Sequence, residues 1–142
     1  MSISVTIVVA IISAAAVLFA PALSFFLTKQ KEREAEWRTQ KFEHYKVFMA
    51  ALNALVGPPA SFDERVRFAD AANNIFLVGS KDVLVALRDF LRSTADGRTE
   101  VDRRLHDERL TALIVAIRRD LRIKGPPLPQ DYQFGLWSGK SG

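Results

Sequence analysis

From Ile3 to Leu27 the chain runs for 25 residues without a charge, and its first charged side chain is Lys29. No other feature limits the fold so strongly. As a helix rising ~1.5 Å per residue, such a segment spans the ~30 Å hydrocarbon core of a bilayer with some tilt. A secretory signal would need a basic start, a shorter apolar run and small residues around a cleavage point. The start, MSISVTIVV, carries no charged side chain. Ala20-Pro21-Ala22 has the small residues of a cleavage point, yet apolar sequence continues beyond it through Leu23–Leu27. Residues 1–28 therefore read as a retained transmembrane anchor. Lys29, Lys31 and Arg33 follow it and nothing basic precedes it. The positive-inside rule then keeps the C-terminal side in the cytoplasm, with these three residues at the membrane surface. The expected localisation is the inner (plasma) membrane, single-pass, with a cytoplasmic C-terminal domain. Inside the span, Thr6, Ala10 and Ala14 recur every fourth residue, as do Ala16, Ala20 and Ser24. Small residues at this spacing let helices pack closely in lipid. Pro21 is expected to bend the helix near its inner end.

Because the first 28 residues carry no ionisable side chain, all 20 Lys and Arg and all 16 Asp and Glu lie in Lys29–Gly142, which bears the whole net charge of +4. So mild an excess favours an anionic membrane surface slightly and does not by itself indicate nucleic acid. No cysteine is present, which excludes disulfides and thiolate metal sites and leans toward a reducing compartment.

Beyond Thr28 the periodicity is helical throughout. Residues 29–56 read as a polar stalk that becomes the first bundle helix, with Tyr45, Phe48, Leu52 and Leu55 spaced 3-4-3 and Gly57-Pro58-Pro59 ending it. Residues 57–124 supply three further helices. Ser61 to Glu64 is a capping box opening the second, whose inward face is expected at Val66, Ala69, Asn73 and Phe76. Gly79-Ser80 makes a tight corner into the third, which turns Val83, Leu84, Leu87, Phe90 and Leu91 inward. After a polar turn at Ala95–Glu100, a fourth helix over about 101–123 carries the strongest stripe, Leu110, Leu113, Ile114, Ile117 and Leu121. The fold class is all-α: an N-terminal transmembrane helix continuing into an antiparallel four-helix bundle. Residues 125–142 form an extended tail in which Pro126, Pro127 and Pro129 favour polyproline II and Tyr132, Phe134, Leu136 and Trp137 follow. These aromatics either pack back on the bundle or dock elsewhere; Tyr132, Phe134 and Trp137 are candidate interaction residues.

Reactive constellations are missing from this pattern. A di-iron bundle needs Glu-x-x-His pairs, but Lys41 and Arg103 stand three residues before His44 and His106. The terminal Ser138-Gly139-Lys140-Ser141-Gly142 lacks the strand, spacing and helix of a P-loop. Asp63, Glu64 and Asp70 fit capping and solvation better than acid–base work. Arg118, Arg119, Arg122 and Lys124 complement the end of the fourth helix. Asp120 interrupts them, and without a recognisable module nucleic acid is not an expected partner. No catalytic residue, metal site, cofactor or small-molecule substrate is expected. Asn73, read as facing the core, would need hydrogen-bond partners there or serve as a polar contact in an oligomer interface.

Trp37–Leu52, Ala72–Leu91 and Leu110–Leu121, with the run from Asn74-Ile75 to Gly79-Ser80 the most distinctive part, resemble a family of small uncharacterised bacterial proteins with one N-terminal transmembrane helix and a cytoplasmic helical-bundle domain. The resemblance implies the architecture and transfers no active site. The expected function is non-enzymatic: a single-span membrane protein acting by assembly, as a homo-oligomer or the small subunit of a membrane-associated complex, with membrane lipid and a protein as partners. A phage-type lysis accessory protein with its C-terminus outside, or a membrane-tethered nucleic-acid binder, are the alternatives.

Overall fold

The computed structural model describes the backbone of residues 3–56, 59–95, 100–126, 128–129 and 131–136; the side chains of residues 3–4, 6, 8, 11–16, 18, 95 and 100–102 lie outside the description. The expected turns at Gly57-Pro58 and Asp96–Thr99, Pro127, Trp137 and the terminal 138–142 are outside the described residues. Four helices follow one another: α1 (Ile3–Ala54), α2 (Phe62–Val78), α3 (Lys81–Ala95) and α4 (Glu100–Asp120), with no strand among the described residues. The chain divides into two compact units, Met1–Thr39 and Gln40–Gly142.

In the first unit, Pro21 lies inside α1 without ending it. Val17, Phe19, Leu23, Phe25, Phe26 and Leu27 are all exposed, Phe19 at 74% and Phe26 at 72%. At a helical repeat of 3.6 residues these positions fall on every side of the helix. Among the described residues no helix is long and apolar enough to cross a membrane. The side chains of residues 11–16, in the middle of the uncharged segment, are not part of that set, so the transmembrane span remains an expectation from sequence.

The second unit is a helical bundle around one core. Tyr45, Phe48 and Leu52 from α1 meet Ala71, Ala72 and Ile75 from α2, Val83, Leu87 and Phe90 from α3, and Leu110, Leu113, Ala116, Ile117 and Leu121 from α4. Phe48 and Phe68 bring α1 and α2 together with ring centroids 5.6 Å apart. Asp89 meets Arg109 at 3.6 Å while the next residue, Phe90, meets His106. As α3 runs forward α4 runs back, so this pair is antiparallel.

The capping box forms as the sequence requires. The Glu64 amide donates to Ser61 Oγ at 3.2 Å and the Ser61 amide to Glu64 Oε2 at 2.7 Å, satisfying two amides that the start of α2 would otherwise leave open. The corner after α2 is as short as expected, but its glycine is there for a different reason. Gly79 has φ −70° and ψ 145°, an extended conformation open to any residue. A Cβ at this position would lie 2.9 Å from the Ile75 carbonyl oxygen and 3.2 Å from both Leu84 and Val83. Gly79→Ala is therefore expected to lose about 1–3 kcal/mol, the usual cost of overpacking, in thermal unfolding of the full-length chain. A loss under ~0.5 kcal/mol would mean that the Ile75 backbone yields freely.

α4 stops at Asp120, short of Ile123, because the chain turns into a left-handed cap. Arg122 has φ 52°, its amide donates to the Arg119 carbonyl at 2.9 Å, and the Ile123 amide reaches the Arg118 carbonyl at 3.0 Å. These are the two bonds of a Schellman motif, with arginine in the place glycine usually takes.

Candidate functional site

The most connected polar group in the bundle is Asp120, the last residue of α4. A carboxylate at a helix C-terminus faces the negative end of the backbone dipole, so its presence there asks for compensation. Lys41 Nζ lies 3.0 Å from both Asp120 oxygens, and the Tyr45 hydroxyl donates to Oδ2. The Lys41 side chain is 13% exposed and that of Asp120 is 7% exposed. Burial alone pushes the Asp120 carboxyl upward, but the hydrogen bonds from Tyr45 and Lys41, the charge of Lys41 and a smaller contribution from the Ser80 hydroxyl outweigh it and hold the group below its ordinary value. Tyr45 moves the other way. Burial, the bond to Asp120 and the negative charge of that carboxylate all raise its hydroxyl far above the usual tyrosine range. Ser80 stands just before α3, its carbonyl accepting the Leu84 amide at 2.9 Å. One carboxylate thus ties α1, α4 and the α2–α3 corner. No buried side-chain polar atom among the described residues lacks a hydrogen-bond partner, and the cluster holds these elements together.

The second feature is the outer face of α2, and it corrects the expected one. Val66, Ala69, Asn73 and Phe76 are exposed, while Ala71, Ala72, Ile75 and Val78 are buried and Phe68 packs against the core. Asn73 is therefore not a core amide. It sits among outward apolar groups, with Phe62 71% exposed and Leu77 81% exposed on the same side. The stripe of α2 that turns inward combines the small Ala71 and Ala72 with Phe68, Ile75 and Val78.

The tail packs back on the bundle as far as Leu136. The Phe134 amide donates to Thr111 Oγ1 at 3.0 Å, Tyr132 and Phe134 meet edge-to-face with centroids 4.9 Å apart, and Leu136 touches the core. Tyr132 stays exposed and Phe134 is half-buried. Trp137 lies outside the described residues.

Of the span residues, Ala10, Ala20 and Ser24 are exposed, and the side chains of Thr6, Ala14 and Ala16 are outside the description. Lys29, Lys31 and Arg33 are exposed, with Lys29 Nζ 2.7 Å from Glu32 Oε2. His44 is exposed, and the half-buried His106 packs its ring against Phe90. Among the described residues no three His, Asp or Glu side chains gather as metal ligands. Sequence reasoning took Asp120 for an interruption in a basic run. Tyr45 and Lys41 lie 75 and 79 residues from it, and only the inward position of Tyr45, one turn after Lys41, hinted at them. In comparisons with known proteins the chain matches no family model, no curated protein and no solved structure.

Proposed function

We propose that this chain is a non-enzymatic, single-span membrane protein whose helical domain works by assembly. The observation that carries the reading is the ring of exposed apolar side chains on α1, Val17 to Leu27, ending where the charges begin at Lys29. A helix apolar on all sides needs a surrounding of lipid or protein. The uncharged 25 residues from Ile3 have the length for lipid, and Lys29, Lys31 and Arg33 favour a cytoplasmic bundle.

The partner most consistent with the bundle is a second copy. The outer face of α2 is apolar at both ends, Phe62 at one and Phe76 and Leu77 at the other, with Asn73 the one amide inside the stripe. Two copies laid antiparallel bring the unlike ends together, the self-complementary geometry of a two-fold interface. A single asparagine in an apolar helix face is a known means of fixing association state. Tethering to one membrane also raises the effective concentration of the copies.

Native mass spectrometry of the full-length protein in mild detergent tests this. The expected result is an intact subunit mass present as dimers or higher multiples, reduced to monomers by Phe76→Asp with Leu77→Asp. A subunit lacking its first ~22 residues would remove the anchor. An intact but monomeric wild-type chain would sink the self-assembly reading while leaving the anchor in place.

A further inference from the structure

Where the tail turns back over the end of α4, it closes a half-open cavity of about 430 Å³. This volume falls within the roughly 300–1,000 Å³ of small-molecule sites. Val115, Ile123 and Leu128 give it apolar walls, Tyr132 lies at its side, and Arg118 and Arg119 line it from α4. Neither arginine has a carboxylate partner among the described residues.

An arginine at a helix C-terminus is ordinarily explained by the helix dipole. Three observations take this pair further. The left-handed cap already uses the Arg118 and Arg119 carbonyls, which accept the Ile123 and Arg122 amides, so those oxygens are not left open toward an incoming anion. Asp120, the one acid within the basic run, is matched by Lys41 and Tyr45. The tail that closes the cavity is held in place, by the Phe134–Thr111 bond and by Leu136 on the core, so the walls are preformed. Asp131 is exposed and does not line the space. What remains is a pair of planar, permanently charged donors lining a groove whose walls mix polar and apolar groups, Arg119 also bordering the neighbouring groove that holds Asp82 and Asp89. Guanidinium groups suit phosphate because two N–H bonds can meet two oxygens, and the apolar walls favour an attached hydrocarbon or ring over a bare ion.

We propose that the cavity between α4 and the tail binds a phosphate ester carrying a compact apolar group, with Arg118 and Arg119 holding the phosphate. The chemistry is shared by a phospholipid headgroup with the start of its chains and by a soluble aryl or alkyl phosphate. The proposal does not depend on self-association.

The test titrates the full-length protein in mild detergent by calorimetry with three probes: dihexanoyl phosphatidic acid, phenyl phosphate and inorganic phosphate. Saturable binding of at least one ester is expected, with inorganic phosphate at least about tenfold weaker. The double variant Arg118→Gln, Arg119→Gln should weaken the ester by about tenfold or more, and Val115→Trp, which fills the cavity but keeps both arginines, should do the same. Circular dichroism confirms that each variant folds, and either one alone suffices if the other does not. Preference for phosphatidic acid assigns the site to a lipid headgroup, and equal or better binding of phenyl phosphate assigns it to a soluble ester. The proposal is overturned if neither ester saturates, if a folded variant binds like wild type, or if inorganic phosphate binds as tightly as the esters.

Discussion

Asp120→Ala should lower the unfolding free energy of the bundle by about 3–5 kcal/mol, the range seen when one partner of a buried ion pair is removed. The substitution removes the carboxylate that Lys41, 13% exposed, meets at 3.0 Å and deprives the buried Tyr45 hydroxyl of its acceptor. Replacing the whole cluster by apolar groups, as in Lys41→Met with Asp120→Leu and Tyr45→Phe, should cost much less, because neither a charge nor the buried hydroxyl is then left without a counterpart. Guanidinium unfolding of the full-length chain in mild detergent measures both. A loss below ~1 kcal/mol for Asp120→Ala would place the pair with ordinary surface salt bridges.

The same cluster sets a pH window with two edges. Asp120 is held below its ordinary value, so the stability it contributes is complete above the unfolded carboxyl pKa of ~3.9 and is lost as pH falls through the folded value. Tyr45 is held above its ordinary value, so its contribution is complete below ~10 and is lost as pH rises beyond that, where the unfolded chain ionises and the folded one resists. Asp120→Asn should flatten the acid edge. An unchanged acid edge in that variant would mean that other carboxylates govern it.

Phe48→Ala is the second large effect expected, a loss of about 3–5 kcal/mol from cavity formation. The ring is fully buried, joins α1 to α2 through Phe68 and sits in the common core of all four helices. Phe76→Ala, on the outer face of α2, should stay within ~0.5 kcal/mol in the monomer under identical conditions. Thermal unfolding of the two variants side by side reads the contrast. Similar losses would mean that α2 packs with its other face inward.

That contrast also marks where the sequence was legible. In α3 and α4 the apolar residues concentrate on one stripe and most of the opposite face is polar, so Val83, Leu87 and Phe90, and Leu110, Leu113, Ile117 and Leu121, could be read as core directly. In α2 two stripes compete at equal helical spacing, and the one read as inward faces out. Ala71 and Ala72 lie on the inward stripe beside Phe68 and Ile75, and hydrophobicity alone does not separate that stripe from the outer one. The Ser61 box was legible because its bonds span three residues. The Asp120 cluster was not, since it joins segments far apart in sequence, and the cavity over α4 was not, since it depends on how the tail folds back over the helix end. The end of α4 was missed by three residues because an arginine, not a glycine, takes the left-handed position.

Lys41 stands two residues past Thr39, where the first compact unit ends. This has a consequence for anyone cutting the chain. A fragment beginning at Gln40 keeps every core residue and the ammonium that neutralises Asp120. One beginning at Phe42 keeps the same core yet leaves a nearly buried anion without its counter-ion. The two fragments differ by only two residues, but the second should express as the less soluble protein.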